Sequence, residues 1–245
     1  MARVALSFIP EPVHGQAEGT PQPPVAASAM LVRIDPAQFD FSLYMASEKG
    51  PKTLAEICAS ENFIVAINAG MYRLDGLTST GYLRGPSHTN NSHMAGNFGA
   101  FFVAGLRDKS LPPARMLDRN EHDWETAVTQ YDLVMQNFRM ATASGRVIWK
   151  QAERRHSVAA MSEDADGRIL FIMCPTPLPA TDFLKALQEF PLRLATVMYL
   201  EGGSEAALLL NAGGIKTVEA GRHISGLWGG SAALPLPNVL GVRRR

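Results

Sequence analysis

Three stretches of this 245-residue chain set glycines and polar side chains directly after apolar runs, where a site can form. They are residues 68–72 (Asn68, Ala69, Gly70, Met71, Tyr72), the loop 81–99, and residues 201–204 (Glu201, Gly202, Gly203, Ser204). Glycines after a strand let backbone N–H groups come close to a ligand, which suits an anionic oxygen. The same patterns also serve plain turns, and an Asn at a strand end also caps local backbone. Ser204 stands in a partial nucleophile elbow, which needs a helix behind it and later His and acid partners. Only His223 follows it among the histidines, and Ala206 stands where the second glycine belongs, so a serine hydrolase is not the expectation. The six histidines show neither HExxH spacing nor paired cysteines, which leaves His88 and His93 in the long loop as the ones to watch.

The elements that must hold these stretches come from an ordinary globular composition. Hydrophobic residues make up 46% and charged residues 19%, which supports a packed core and excludes a disordered chain. Lys plus Arg and Asp plus Glu both number 23, so no global field favours nucleic acid or an anionic membrane. Arg243, Arg244 and Arg245 form a short basic run, expected as a solvated tail. Cys58 and Cys174 are too few for a disulfide framework and are expected as buried thiols. The first ten residues fit neither a secretory h-region nor a membrane span, and the compartment stays open on that basis.

Five prolines and two glycines in residues 10–28 predict an extended or mobile leader, with residues 1–29 outside the folded unit and 30–245 forming one domain. Alternating residues at 30–34 and 39–45, with Asp35 and Pro36 between them, read as a hairpin. Thr53 and Glu56 have capping-box spacing ahead of an amphipathic helix. Residues 63–68 read as a strand covered on both faces, and 69–99 as a long binding loop. Further strands are predicted at 100–104, 132–135, 147–149, 157–161, 169–174, 196–200 and 239–242, with Asp166 and Gly167 turning one hairpin. Thr181 is the expected cap of a helix ending before Pro191. The predicted class is α+β: a single domain with a mixed, strand-rich sheet and a few short helices.

NAGMY after an apolar strand resembles an element of the phosphodiester glycosidase family, and the order of later elements resembles that family over about residues 30–242. These are GYLRGPSHTN, GNFGAFFVAG, MQNFRMATASGRVIW, RRHSVAAMSEDADGRILFIM, a helix, and YLEGGSEAALLL. The resemblance places Asn68 and Gly70 in the first family element, Asn97 before a strand, and Gln136 at a glutamine position. It places Arg155 at the Arg of an Arg-Thr-Ala-Val-Gly element and residues 201–204 at Leu-Asp-Gly-Gly-Ser. Three positions depart: Glu201 replaces the aspartate, Phe138 stands near an expected proline, and Ala159 replaces a glycine. The longer Glu side chain shifts the carboxylate's reach by about 1.5 Å, enough to alter substrate or rate.

The resemblance implies an exported hydrolase that removes a sugar from a glycosyl phosphodiester of the cell-envelope or exopolysaccharide kind. No cofactor is expected and no metal ligand is assigned; the expected partner is that carbohydrate phosphodiester, with no nucleic acid and no membrane span. Phosphate leaves readily, so one carboxylate could suffice. On this footing Glu201 is the base or nucleophile, and Arg155 and Arg84 are phosphate clamps with planar donor forks. Asn68, Asn97 and Gln136 then bind sugar or phosphate, with Gly202, Gly203 and Ser204 lining the substrate. These residues should surround one pocket. The alternative is a non-catalytic glycan-binding or sugar-phosphate-binding protein using the same cleft.

Overall fold

The computed structural model describes residues 2–8, 25–107, 110–149, 154–191, 193–222 and 234–245. Strands Ala2–Phe8, Val25–Ile34, Ile169–Pro179, Arg155–Asp164, Leu194–Gly202 and Arg139–Ala141 lie side by side in that order as the first sheet. A second sheet runs Thr89–Asn91, Leu83–Arg84, Tyr131–Asn137, Ala100–Leu106, Ala114–Asp118. The third runs Ile215–Ala220, Ala207–Ala212, Val65–Asn68, Asn238–Arg244, Phe39–Met45. The class is the α+β one expected. Every described pair is antiparallel rather than mixed, because strands return through tight turns or from distant segments and no helix crossover links neighbours.

The three sheets close around a shared core. Met30 and Phe171 of the first sheet, Phe102 and Met135 of the second, and Ile67 and Leu240 of the third belong to one buried cluster. Outer faces are covered by short helices. Ile169, Phe171 and Met173 face the shared core, while Leu170, Ile172 and Cys174 face Phe183 and Leu187 of helix Ala180–Gln188, the period-two alternation of a strand buried on both sides. Helix Leu54–Glu61 sets Leu54 and Ile57 against Leu209 and Val239 of the third sheet. Thr53 and Glu56 form the capping box the spacing predicts, and Asn62 ends that helix with φ 56°. Both cysteines are buried and free, and burial pushes the Cys58 thiol up to about 12 and the Cys174 thiol up to about 11.

Several local expectations differ from the structure. Segments 30–34 and 39–45 do not pair with each other: the first joins Ile169–Pro179 and the second joins Asn238–Arg244. Asp35 forms its turn by accepting from Ala37 N at 3.0 Å, but a turn alone does not dictate the partner of either strand. Val25–Ile34 begins within the stretch assigned to the leader and pairs with Ala2–Phe8, while residues 9–24 lie outside the described set. The long loop contains the short strands Leu83–Arg84 and Thr89–Asn91. Residues 147–149 contribute a single bridge at Val147, and Pro179, not Thr181, precedes the helix. The C-terminal arginines are not a solvated tail: Arg243 pairs with Glu61 at 3.1 Å and Arg245 with Asp40 at 2.8 Å.

Candidate active site

Strand Leu194–Gly202, between Arg155–Asp164 and the edge strand Arg139–Ala141 of the first sheet, carries Glu201 near its C-terminal end, opposite Ala159. An irregularity in that pairing adds Leu200 on one side between the Ala159 and Ala160 partners, a bulge that re-aims the side chains around it. Gly202 has no room for a side chain, because a Cβ there would run into the Tyr199 hydroxyl and the His156 ring. The chain then turns through the 3₁₀ segment Gly203–Glu205, where Gly203 takes φ +67°.

Side-chain amides from neighbouring strands clasp this turn. Asn68, buried at the end of Val65–Asn68, donates through Nδ2 to the Glu205 carbonyl at 2.9 Å and accepts from Ala207 N at 2.7 Å. Gln136 is equally buried and is bonded on every side: Oε1 accepts from Ala95 N at 2.9 Å and Tyr82 N at 3.3 Å, and Nε2 donates to the carbonyls of Ala95 (2.8 Å) and Phe98 (3.0 Å). Asn137 accepts from Phe138 N and reaches the Leu200 carbonyl, and its amide would press against any Cβ at Gly70, which sits at φ +93°. Asn68, Gly70, Asn137 and residues 200–207 are thus joined in one neighbourhood, with Gln136 next to Asn137 in the chain.

Within that neighbourhood lies a cluster of titrating groups. Glu201 is 9% exposed and accepts from Gly202 N at 2.9 Å. Burial pushes its carboxyl up to about 7, the Gly202 N–H offsets part of this, and the nearby negative charge of Glu205 adds to it. Tyr72 turns its hydroxyl to the Glu205 carboxylate; burial first, then that contact, holds its phenol well above the ordinary value. Tyr199 is raised by burial and by the charges of Glu201 and Glu205. Burial lowers the His156 imidazole below its usual value, so it is neutral at pH 7. A row of rings extends from here, with centroids 6.0 Å apart for His156 and Tyr199, 5.3 Å for Tyr199 and Trp149, and 5.7 Å for Trp149 and Phe138.

The remaining predicted residues separate. Arg155 is half-buried at the start of the strand whose Val158 and Ala159 face Gly202 and Glu201, beside the exposed Arg154. Asn97 is exposed on the turn that Gln136 pins. Arg84 is turned the other way: its Nη2 donates to the carbonyls of Val128 at 2.8 Å and Tyr131 at 2.6 Å, so its fork is occupied by backbone. Ser204 is followed by strand Ala207–Ala212 rather than the helix an elbow needs, and His223 lies outside the described residues. His88 meets Ser47 at 3.0 Å and His93 is exposed. Sequence reasoning passed over Glu205, Tyr199, His156 and Asn137. Their one visible signal was adjacency, since each lies within four residues of a chosen residue.

Among the described residues no group of three or more His, Cys, Asp or Glu is placed to hold a metal ion, and no helix is long and apolar enough to cross a membrane. A cleft of about 700 Å³ lined by Phe39, Phe41, Leu111 and Arg245 opens at the opposite end of the third sheet, where Phe39 pairs with Arg244. Asn68 pairs with Val239, near the other end of that same strand, so this cleft is remote from Glu201.

Residues 61–243 match the family described as phosphodiester glycosidase. The fold is similar to the zebrafish N-acetylglucosamine-1-phosphodiester alpha-N-acetylglucosaminidase catalytic domain auto-inhibited by its pro-peptide, with TM-score 0.71 and 11% identity over 100% of this chain and 83% of that one. It is also similar to a hypothetical protein from Synechocystis, with TM-score 0.61 and 13% identity over 99% of this chain and 62% of that one. A Burkholderia pseudomallei protein named as a candidate for export matches with TM-score 0.51 and 9% identity over 89% of this chain and 74% of that one. None of the curated proteins matches.

Proposed function

This chain belongs to the phosphodiester glycosidase family, and from that premise we propose that it hydrolyses a glycosyl phosphodiester to free sugar and a phosphomonoester. The observation that carries the proposal is Glu201: a carboxyl 9% exposed, held at about 7, leading into the backbone turn that Asn68 clasps. A carboxyl poised near neutrality can give a proton to a departing oxygen and take one back. Its burial therefore supports a proton-donor role for Glu201, in place of the base or nucleophile expected from sequence. Arg155, with Arg154 beside it, binds the phosphate through planar donor forks. The half-buried ring of Trp149, backed by Tyr199, offers an apolar face to a sugar. We place the substrate among cell-envelope or exopolysaccharide phosphodiesters and the protein outside the cytoplasm, a proposal in keeping with the exported character given to the Burkholderia relative.

The test is hydrolysis of a glycosyl phosphodiester in ¹⁸O-water. Glycosidic cleavage puts the label on the sugar, whereas attack at phosphorus puts it on phosphate. Glu201→Gln should lower turnover by at least about a hundredfold with KM little changed. Label on phosphate, or an unimpaired Glu201→Gln, would refute this function or this role respectively. A non-catalytic binder would turn over nothing in either form yet change its glycan affinity on the same substitution.

A further inference from the structure

We propose that Glu205 is a second catalytic carboxylate of this site, the base that draws a proton from the attacking water while Glu201 protonates the leaving phosphate oxygen. The inference rests on the glycosidase function proposed above. It starts from position. Glu205 ends the 3₁₀ turn Gly203–Glu205, four residues beyond Glu201, and its main chain is locked there by the Asn68 amide on its carbonyl (2.9 Å) and on the N–H of Ala207 (2.7 Å). A carboxylate that needed only solvation would not need its backbone gripped from a strand 137 residues away.

Surroundings separate the two carboxyls. Glu201 is nearly closed off from solvent, whereas Gly202, Gly203, Ser204 and Glu205 are half-exposed, so water reaches Glu205. The groups facing the pair are Tyr72 from the 68–72 element and Tyr199 from the same strand as Glu201, with the His156 ring of the neighbouring strand against Tyr199. Tyr72 directs a hydroxyl at the Glu205 carboxylate, a donor that orients it. Tyr199 and Tyr72 remain protonated, so neither competes as the base at pH 7. A buried carboxyl poised near 7 beside a second carboxyl open to water is the pairing that glycoside hydrolysis uses.

The step balances. Water oxygen forms the new bond to the anomeric carbon as Glu205 takes its proton, and the bond from that carbon to the phosphate oxygen breaks with its electron pair on oxygen. Glu201 delivers its proton to that oxygen. Sugar and phosphomonoester leave, and solvent returns Glu205 and Glu201 to their starting states. A single displacement inverts the anomeric configuration.

The experiment compares wild type, Glu205→Gln and Glu205→Ala on a defined glycosyl phosphodiester, with thermal melts of each. Glu205→Gln should cut kcat by at least about a hundredfold with KM nearly unchanged and folding intact. Azide or formate should restore part of the activity of Glu205→Ala. Removing the Glu205 charge should also move the limb of the pH profile that belongs to Glu201 to lower pH, a readout that a purely structural role would leave in place. The first product seen by NMR should carry inverted configuration. Glu205→Asp covers the case in which the amide variant fails to fold: it should fold and keep measurable turnover. A fully active Glu205→Gln, or retained configuration at the anomeric carbon, overturns the assignment of Glu205 while leaving the glycosidase function standing. Wild type that releases no sugar from any phosphodiester overturns the function itself.

Discussion

Asn68 offers a decisive contrast between binding substrate and building the site. Its side chain is 3% exposed and makes two bonds to main chain, to the Glu205 carbonyl at 2.9 Å and from Ala207 N at 2.7 Å. Asn68→Ala strips both partners, the buried Ala207 N–H and the part-buried Glu205 carbonyl. An unsatisfied buried backbone group costs about 1–3 kcal/mol, and because the two share one side chain the costs overlap, giving about 2–4 kcal/mol in total. In a domain of this size that lowers Tm by about 5–15 °C. Asn68→Asp keeps the acceptor for Ala207 N but sets a carboxylate against the Glu205 carbonyl, so it should lower Tm as well. Differential scanning calorimetry reads the shift, and parallel turnover assays show whether activity falls with it. If Asn68→Ala abolished turnover while moving Tm by less than about 2 °C, the residue would be acting on substrate and the clasp would not matter to folding.

Two further outcomes follow from the same region. Gly202→Ala drives a methyl into the Tyr199 hydroxyl and the His156 ring, and should cost about 1–3 kcal/mol as overpacking; calorimetry checks it, and adding Tyr199→Phe should recover part of the loss. The Glu201 carboxyl is raised from 4.5 to about 7 by burial, so the folded state holds its proton more tightly than the unfolded chain. Stability from this group is complete below about 4.5 and falls as pH rises to about 7, by up to about 3 kcal/mol. Urea titrations at several pH values should show that slope in wild type and its loss in Glu201→Gln.

Local chemistry was legible where one segment contains its own cause. The capping box of Thr53 and Glu56, the turn at Asp166 and Gly167, and the doubly buried apolar runs ending at Asn68 and Glu201 could all be read from neighbours in sequence. Pairing could not. Residues 30–34 and 39–45 alternate as strands should, yet they pair with Ile169–Pro179 and Asn238–Arg244, more than a hundred residues away, rather than with each other, and the choice depends on which apolar faces remain to be covered. Roles at the site divided on the same line. That Asn68, Gln136 and Glu201 sit near one another follows from the ordered motifs, but whether an amide faces a ligand or clasps a backbone depends on depth of burial, which only the packed chain decides. Arg84 shows the failure most plainly: its type suits phosphate, and two main-chain carbonyls took its donors.

Gln136 holds its loop by the main chain alone. All four atoms it bonds, the N–H of Tyr82, the N–H and carbonyl of Ala95 and the carbonyl of Phe98, exist whatever side chains those positions carry. A grip of this kind is indifferent to the identity of the residues it retains. Exposed positions such as Asn97 can therefore be exchanged through mutation without loosening the mooring, and the loop becomes a surface that can change its residues while its foundation stays still.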